Sequence, residues 1–182
     1  MANRKEIFGM RYSIHGEAEK FHKQILKLLS NNFNKNSIAE EPAHITIKYS
    51  FETDNIDNIE KELKKLEVKN AVVNLGRYGC FSYPRHNRFV IYMKVRPNIK
   101  AKRLQKKVIQ IIKNNGVNIQ DRDRIWKPHN TIYIAKTKEE KVRILKELKK
   151  LKKEYELNID SISITKKKNG RHSEYRTLKL LI

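Results

Sequence analysis

Two hydrophobic patterns alternate along this chain of 182 residues. In four segments apolar residues recur every three or four positions, which is the spacing of an amphipathic helix buried along one side. Between these segments lie runs rich in β-branched and aromatic residues, which are typical of strands. The pattern predicts helices with apolar stripes over 18–29, 56–66, 101–112 and 142–151, and strands at 11–15, 42–51, 68–81, 87–95, 127–135, 162–165 and 175–182.

The predicted elements occur twice in the same order, at 11–66 and at 88–151. Each copy begins with a strand, which is followed by a long helix, a strand that contains a histidine, and a second helix. No long linker separates the copies, so we expect one bilobal domain over 1–182 that is built from a duplicated unit. The segment 157–182 contains an Asn-Gly turn signal and is expected to form a hairpin that completes a sheet. The predicted fold class is α+β: two pseudo-symmetric lobes of mostly antiparallel sheet, with flanking helices and a central cleft.

The chain is strongly basic. Lys and Arg number 41 against 20 Asp and Glu, which gives a formal net charge of +21. Such a balance favours polyanionic partners such as RNA, DNA or nucleotides. The alternative is that most of the lysines only solvate helix faces, and composition alone leaves both interpretations open.

Cysteine usage and hydropathy narrow the class of protein. Cys80 is the single cysteine, so neither a disulfide framework nor a cysteine-based zinc cluster can form. No apolar run approaches the length needed to cross a bilayer, and the N-terminal residues lack the apolar stretch of a secretory signal. We therefore expect a cytoplasmic protein, monomeric, with no membrane partner, no metal and no other cofactor.

A histidine and a threonine two residues apart occur in both predicted copies. The tetrapeptide HITI that begins at His44 returns as HNTI at His129, 85 positions later. Side chains at i and i+2 lie on one face of a strand, about 6.5–7 Å apart along it. Each copy therefore offers an imidazole and a hydroxyl together: His44 with Thr46, and His129 with Thr131.

If the two lobes pack face to face, these four groups converge, and together they suit a phosphodiester. A neutral imidazole takes a proton from the attacking oxygen and a protonated one gives a proton to the departing oxygen, each step contributing ~10²–10⁴-fold in rate. The hydroxyls, with nearby cations, bind the non-bridging oxygens. The competing interpretation is a pair of buried, hydrogen-bonded core histidines. The matched strand context of the two copies favours catalysis.

These motifs resemble those of the two-histidine (2H) phosphoesterase superfamily, in which an H-x-[ST]-apolar sequence occurs once in each of two lobes. The resemblance spans nearly the whole chain, because a later strand and the closing hairpin are also similar. It implies an RNA 2′,5′-ligase-like protein or cyclic phosphodiesterase with His44, Thr46, His129 and Thr131 as its catalytic residues. Asn130 departs from the family pattern, which is often apolar there; an exposed back face or an edge strand would explain it.

Four further side chains are predicted to bind substrate. Lys48 extends the face of the first motif and would hold a phosphate, unless it passes into solvent. Tyr133 extends the face of the second motif and would stack on a base, with ordinary core packing as the alternative. Arg88 ends the basic loop 83–88 and opens a strand, at a position where the resemblance places an arginine. Tyr12 is a candidate aromatic on the substrate side of the first strand.

Three functions stay open at this point. The first is a metal-independent phosphoesterase that acts on a 2′,3′-cyclic phosphate or 2′,5′ linkage of a nucleotide or RNA, on a cyclic oligonucleotide or 2′,5′-oligoadenylate immune signal, or on a smaller cyclic phosphate such as ADP-ribose 1″,2″-cyclic phosphate. The second is a non-catalytic RNA- or nucleotide-binding protein that uses the same cleft. The third is a lysine-rich structural or interaction protein, which predicts no cleft at the paired histidines.

Overall fold

Eight strands and five α-helices form the described part of the chain, which is residues 6–39 and 42–181 of this computed structural model. The strands are β1 (Glu6–Ser13), β2 (His44–Thr53), β3 (Val72–Tyr83), β4 (Arg88–Pro97), β5 (His129–Ala135), β6 (Tyr155–Asn158), β7 (Ser161–Lys168) and β8 (Arg171–Lys179). The helices are α1 (Gly16–Asn32), α2 (Ile56–Leu63), α3 (Ile99–Asn114), α4 (Asp121–Arg124) and α5 (Lys138–Leu148).

The strands form two antiparallel sheets of four strands each. One sheet has the order β2-β1-β7-β8 and the other has the order β5-β4-β3-β6. The two strands that carry the H-x-T motifs, β2 and β5, are therefore edge strands of different sheets, and they contact each other. This architecture, with helices flanking the sheets, confirms the predicted α+β fold.

The order of elements follows the repeat seen in the sequence. β1-α1-β2-α2 in the first half corresponds to β4-α3-β5-α5 in the second. The hairpin of β7 and β8 completes the first sheet, whereas β6, just before it, pairs with β3 in the second sheet. The sequence does not predict β6 or α4, because an element of four residues leaves almost no periodic pattern.

The helices form where apolar residues recur at helical spacing and, in some cases, where a side chain caps the first turn. α1 buries Phe21, Ile25 and Leu29 along one side, as the spacing predicts. α5 begins where Thr137 Oγ1 accepts a hydrogen bond from the backbone N–H of Glu140, which satisfies a donor of the first turn. None of the helices in the described ranges is both long and apolar enough to span a membrane.

In each repeat, helices pack against the motif strand of the other repeat. α1 from the first repeat contacts β5, while α3 and α4 from the second repeat contact β2. The buried residues of both sheets join in one continuous core, to which Ile45 and Ile132 contribute from within the two motifs. The relative position of the motif strands is therefore fixed by the core itself.

Candidate active site

The same backbone hydrogen bond orients the histidine of each motif. His44 Nδ1 lies 2.8 Å from the carbonyl oxygen of Pro42, and His129 Nδ1 lies 2.8 Å from the carbonyl oxygen of Lys127. A carbonyl oxygen only accepts, so in both rings Nδ1 carries the proton and donates it. Both imidazoles are thereby held in the tautomer whose Nε2 can exchange a proton with a substrate.

Two adjoining cavities border the motif residues. The larger, of about 930 Å³, is lined by Thr46, His129 and Thr131 among others. The smaller, of about 110 Å³, is lined by His44 and again by Thr46. Thr46 and Tyr49 line both cavities, which together border all four predicted catalytic side chains; we call these two adjoining cavities the groove.

Two aromatic rings pack against His129. Its ring centroid lies 4.9 Å from that of Phe81 and 5.3 Å from that of Tyr92, and the Phe81 and Tyr92 rings stack at 4.3 Å. Gly79 makes room for this stack, since a Cβ at that position would lie 2.6 Å from Tyr92 Cζ. Burial lowers the pKa of His129 below its ordinary value, although the hydrogen bond to the carbonyl of Lys127 acts in the opposite direction. The neutral imidazole is therefore favoured.

Each motif strand carries a β-bulge directly after its H-x-T sequence. In β2, Thr46 and Lys48 pair with the consecutive residues Arg11 and Met10 of β1, so β2 contains one extra residue between them. In β5, Thr131 and Tyr133 pair in the same way with Tyr92 and Ile91 of β4. An extra residue in a strand moves the following side chains to the opposite face. Lys48 and Tyr133 consequently turn toward the interior, and the next residues, Tyr49 and Ile134, line the larger cavity instead.

The bulges bury two of the predicted substrate contacts, Lys48 and Tyr133. Lys48 is only 1 % exposed; although it borders the smaller cavity, its Nζ lies 2.8 Å from Asp123 Oδ2 in a buried ion pair. Tyr133 is fully buried, and its hydroxyl donates to Glu140 Oε1 at 2.7 Å. Burial, reinforced by that carboxylate, raises the pKa of Tyr133 to about 12. Both side chains are committed to partners within the fold.

The two remaining predicted contacts differ in outcome. Tyr12 is 2 % exposed and packs edge-on against Trp126 with ring centroids 6.3 Å apart, and burial raises the pKa of its hydroxyl. Tyr12 is therefore a core residue of the central strand β1, which corrects its prediction as a substrate-side aromatic. Arg88, exposed at the start of β4, lines the larger cavity together with Tyr83 at the end of β3 and His86 of the loop between the two strands.

Tyr49 and Arg122 form a wall of the larger cavity that the sequence does not reveal. The Arg122 guanidinium lies 4.4 Å from the centroid of the Tyr49 ring in a cation–π contact. Both residues line the larger cavity, as do Asp121 and Ile125 from the same segment. The bulge brings Tyr49 to this face and the short helix α4 brings Arg122 there, and neither feature leaves a periodic signal.

The segment that carries α4 is joined to β2 by a hydrogen bond and a buried ion pair. Trp126 Nε1 donates to the carbonyl oxygen of Thr46 at 2.9 Å. The buried Lys48–Asp123 ion pair anchors the helix, and Asp123 Oδ2 also accepts from the backbone N–H of Gln120 at 3.0 Å. These bonds hold a loop of the second lobe against the motif threonine of the first.

Asn130 forms a second contact between the lobes. Its Nδ2 donates to His22 Nδ1 on α1 at 2.9 Å. Burial lowers the pKa of His22 to about 4, which keeps this ring neutral and able to accept. The expected edge strand is confirmed for β5, but the expected exposed back face is wrong, because Asn130 is 1 % exposed.

Comparison with known families gives a match over most of the chain. A model of the 2′-5′ RNA ligase superfamily matches residues 15–171, which include both H-x-T motifs. The chain belongs to this superfamily. Membership of the 2′-5′ RNA ligase superfamily confirms the resemblance to two-histidine phosphoesterases and supports phosphoesterase activity in general.

A curated relative points the same way. "Putative phosphoesterase GK0864" of Geobacillus kaustophilus (strain HTA426) is 33 % identical over 95 residues, a match that covers 50 % of this chain and 50 % of that protein. The chain thus spans about half the length of the curated relative that it matches.

Solved structures share the fold at low sequence identity. A crystal structure described as a phosphoesterase has a TM-score of 0.66 at 10 % identity, covering 98 % of this chain and 100 % of its own. E. coli LigT complexed with 3′-AMP has a TM-score of 0.64 at 11 % identity, covering 98 % and 99 %. TT0787 of Thermus thermophilus has a TM-score of 0.61 at 12 % identity, covering 95 % and 97 %. At these identities the likeness establishes the fold alone.

Proposed function

We propose that this protein is a metal-independent phosphoesterase that cleaves a nucleotide or RNA phosphodiester by general acid–base catalysis. The observation that carries the proposal is the matched presentation of His44 and His129. Each donates Nδ1–H to a carbonyl oxygen at 2.8 Å, and each lies beside a threonine on the same groove. Two core histidines would have no reason to share a tautomer and to border two adjoining cavities.

We assign the base to His129 and the acid to His44. His129 lies among aromatic rings that favour its neutral form, and a neutral Nε2 can accept a proton. His44 donates Nδ1–H to Pro42, so it can donate from Nε2 as well only when it is an imidazolium. This pairing gives one proton acceptor and one proton donor at opposite ends of the reacting bond.

Hydrolysis of a cyclic phosphate needs one bond to phosphorus to form, one to break, and two proton transfers. Water oxygen attacks phosphorus while His129 Nε2 takes one of its protons, and a new P–O bond forms. The bond from phosphorus to the departing ribose oxygen breaks, and His44 gives that oxygen the proton from its Nε2. The histidines end in exchanged protonation states and return through solvent. Each proton transfer is expected to contribute ~10²–10⁴-fold in rate.

Thr46, Thr131 and Arg88 suit the non-bridging oxygens, whose charge grows in the transition state. Both threonines lie on the groove two residues from a catalytic histidine, and Arg88 lines the larger cavity. Hydroxyl and guanidinium donors held in place before the reaction stabilise such charge without reorganisation. All the groups that this mechanism needs therefore come from the chain.

The larger cavity suits a nucleoside. Its volume of about 930 Å³ falls within the range of about 300–1,000 Å³ of small-molecule sites. Tyr49, Phe81 and Tyr83 line it and offer aromatic faces on which a base can stack, a contact of ~1–3 kcal/mol per base. LigT, a structural neighbour, is described in complexes with 3′-AMP, ATP and NADP+, which agrees with a nucleotide ligand.

A substrate panel tests the proposal. The compounds are a 2′,3′-cyclic nucleotide, an RNA with a 2′,3′-cyclic end, 2′,5′-oligoadenylate, a cyclic oligonucleotide and ADP-ribose 1″,2″-cyclic phosphate, each incubated with a chelator present. We expect wild type to cleave at least one of them and the folded His44→Ala/His129→Ala variant to cleave none. Salt-sensitive binding of the panel with no product after long incubation would instead identify a binding protein.

A further inference from the structure

The two lobes differ at the residue directly opposite the motif threonine. Tyr92 pairs with Thr131 in the second sheet, whereas Arg11 pairs with Thr46 in the first. Side chains directly opposite in an antiparallel pair lie on the same face. The first motif therefore has a guanidinium where the second has an aromatic ring, so the two ends of the pseudo-symmetric groove differ in their chemistry.

Arg11 lines the smaller cavity together with hydroxyl groups. Arg11 is 6 % exposed and Thr165, from β7, is 4 % exposed, and Ser50 of β2 borders the same cavity. Gly9, two residues before Arg11, leaves this wall without a side chain. A Cβ there would lie 3.0 Å from Thr165 Oγ1 and 3.4 Å from His172 Cε1, so a larger residue would crowd the groups that form the cavity.

His172 orients both hydroxyls. Its Nε2 lies 2.8 Å from Ser50 Oγ, and its Nδ1 lies 3.0 Å from Thr165 Oγ1. A neutral imidazole donates from one nitrogen and accepts at the other, so one of the two hydroxyls accepts from the ring and keeps its own proton for another acceptor. The cavity thus presents at least one oriented O–H donor beside a buried guanidinium.

The smaller cavity has room for a phosphate group but not for a nucleoside. About 110 Å³ corresponds to the liquid volume of roughly three to four water molecules. A whole small-molecule ligand needs at least about 300 Å³, which only the larger of the two adjoining cavities supplies. Arginine combined with hydroxyl donors is a set that recognises phosphate oxygens.

We propose that Arg11, Ser50 and Thr165, with His172 as the residue that positions the two hydroxyls, form a second phosphate subsite. It holds the phosphate next to the reacting one, across Thr46 from the nucleoside in the larger cavity. This inference rests on the proposed function in one respect, that the reacting phosphate lies at the H-x-T motifs. The substrate class is then an oligonucleotide or end-phosphorylated chain with at least two phosphates, and not a lone cyclic mononucleotide.

Binding of short deoxyadenylates tests the subsite without relying on turnover. The probes are the 3′,5′-linked deoxyadenosine dimer and the same dimer with one extra phosphate at its 5′ end or at its 3′ end. We expect one of the two phosphorylated dimers to bind wild type about tenfold more tightly than the plain dimer, measured by calorimetry at one ionic strength. Arg11→Gln should reduce this increment to about twofold or less.

Two controls separate the subsite from the general attraction of a basic protein for anions. Lys152→Ala also removes one positive charge, but from a cavity bounded by α5 and β3, and it should keep the tenfold increment. Thr165→Val preserves shape while removing the hydroxyl, and it should lower the increment even if Arg11→Gln fails to fold. An increment that is absent in wild type, or that stays at its wild-type size in both Arg11→Gln and Thr165→Val, overturns the proposal.

The outcomes distinguish the subsite from the proposed activity. If the phosphorylated dimer binds as expected and no compound of the substrate panel is cleaved, the activity is wrong and the subsite stands. If a panel compound is cleaved and an end phosphate adds nothing to dimer binding, the subsite is wrong and the activity stands.

Discussion

At the scale of single residues, His44 and His129 share a tautomer but not an environment. Both donate Nδ1–H to a backbone carbonyl at 2.8 Å. Only His129 packs against the stacked Phe81 and Tyr92 rings, and burial lowers its pKa. This difference breaks the symmetry of the repeat and is the reason why we propose His129 as the base.

We expect Phe81→Ala to raise the pKa of His129 toward its ordinary value of about 6.5, because water replaces a ring that now excludes it. His129 acts as base only when neutral, so the acid limb of the kcat/KM profile should move to higher pH. The measurement is the pH–rate profile of wild type and variant, with Val142→Ala on the exposed surface of α5 as control. An acid limb that stays in place or moves to lower pH contradicts the assignment.

At the scale of elements, the bulges decide which side chains face the groove. Alternation along a strand correctly puts His44 and Thr46 on one face, since the slip in register begins only after the threonine. Beyond that point alternation fails in both motif strands, and Lys48 and Tyr133 turn inward. A bulge depends on pairing with the neighbouring strand, so a sequence pattern within one strand does not reveal it. Tyr49 is missed for the same reason.

Removing one partner of the buried Lys48–Asp123 ion pair should strongly destabilise the fold. Both side chains are almost fully buried, with Nζ and Oδ2 2.8 Å apart. Asp123→Ala leaves a buried ammonium without its counter-charge, so we expect a loss of about 3–5 kcal/mol in the free energy of unfolding. Urea denaturation at neutral pH measures this loss.

Two control variants show that burial causes the effect. Lys48→Met/Asp123→Leu removes both charges and should recover most of the stability lost in Asp123→Ala. Lys20→Ala breaks an exposed ion pair with Glu17 on α1 and should leave the free energy of unfolding almost unchanged. A loss in Asp123→Ala no larger than that in Lys20→Ala would show that the ion pair does not hold α4.

At the scale of the whole molecule, the sequence repeat predicts the two sheets and the pairing of the motifs, but not how the lobes interlock. α1 packs on β5, and the segment around α4 packs on β2. Contacts such as Trp126 to Thr46 and Asn130 to His22 join residues that are 80 and 108 positions apart. Such pairs leave no local pattern, which is why their roles emerge only from the folded chain.

The net charge of +21 should act on substrate capture more than on chemistry. Raising the salt concentration screens the attraction, so KM should rise while kcat changes little. A longer oligonucleotide should show the steeper dependence, because each neutralised phosphate of a single strand adds a slope of about −0.7 to log K against log salt. Steady-state kinetics on a short and a longer substrate at several salt concentrations make the comparison. Equal salt dependence of KM for the two substrates would show that most of the positive charge does not contact the substrate.

Whether two imidazoles act on one phosphorus atom is decided by a double-mutant cycle on kcat/KM with His44→Ala and His129→Ala. Groups that act as a unit are strongly non-additive. We predict that each single variant loses at least ~10²-fold, and that the double variant loses about as much as the worse single one, while all three remain folded. Single variants with near wild-type activity, or losses that simply multiply in the double variant, would show that the two histidines do not act together.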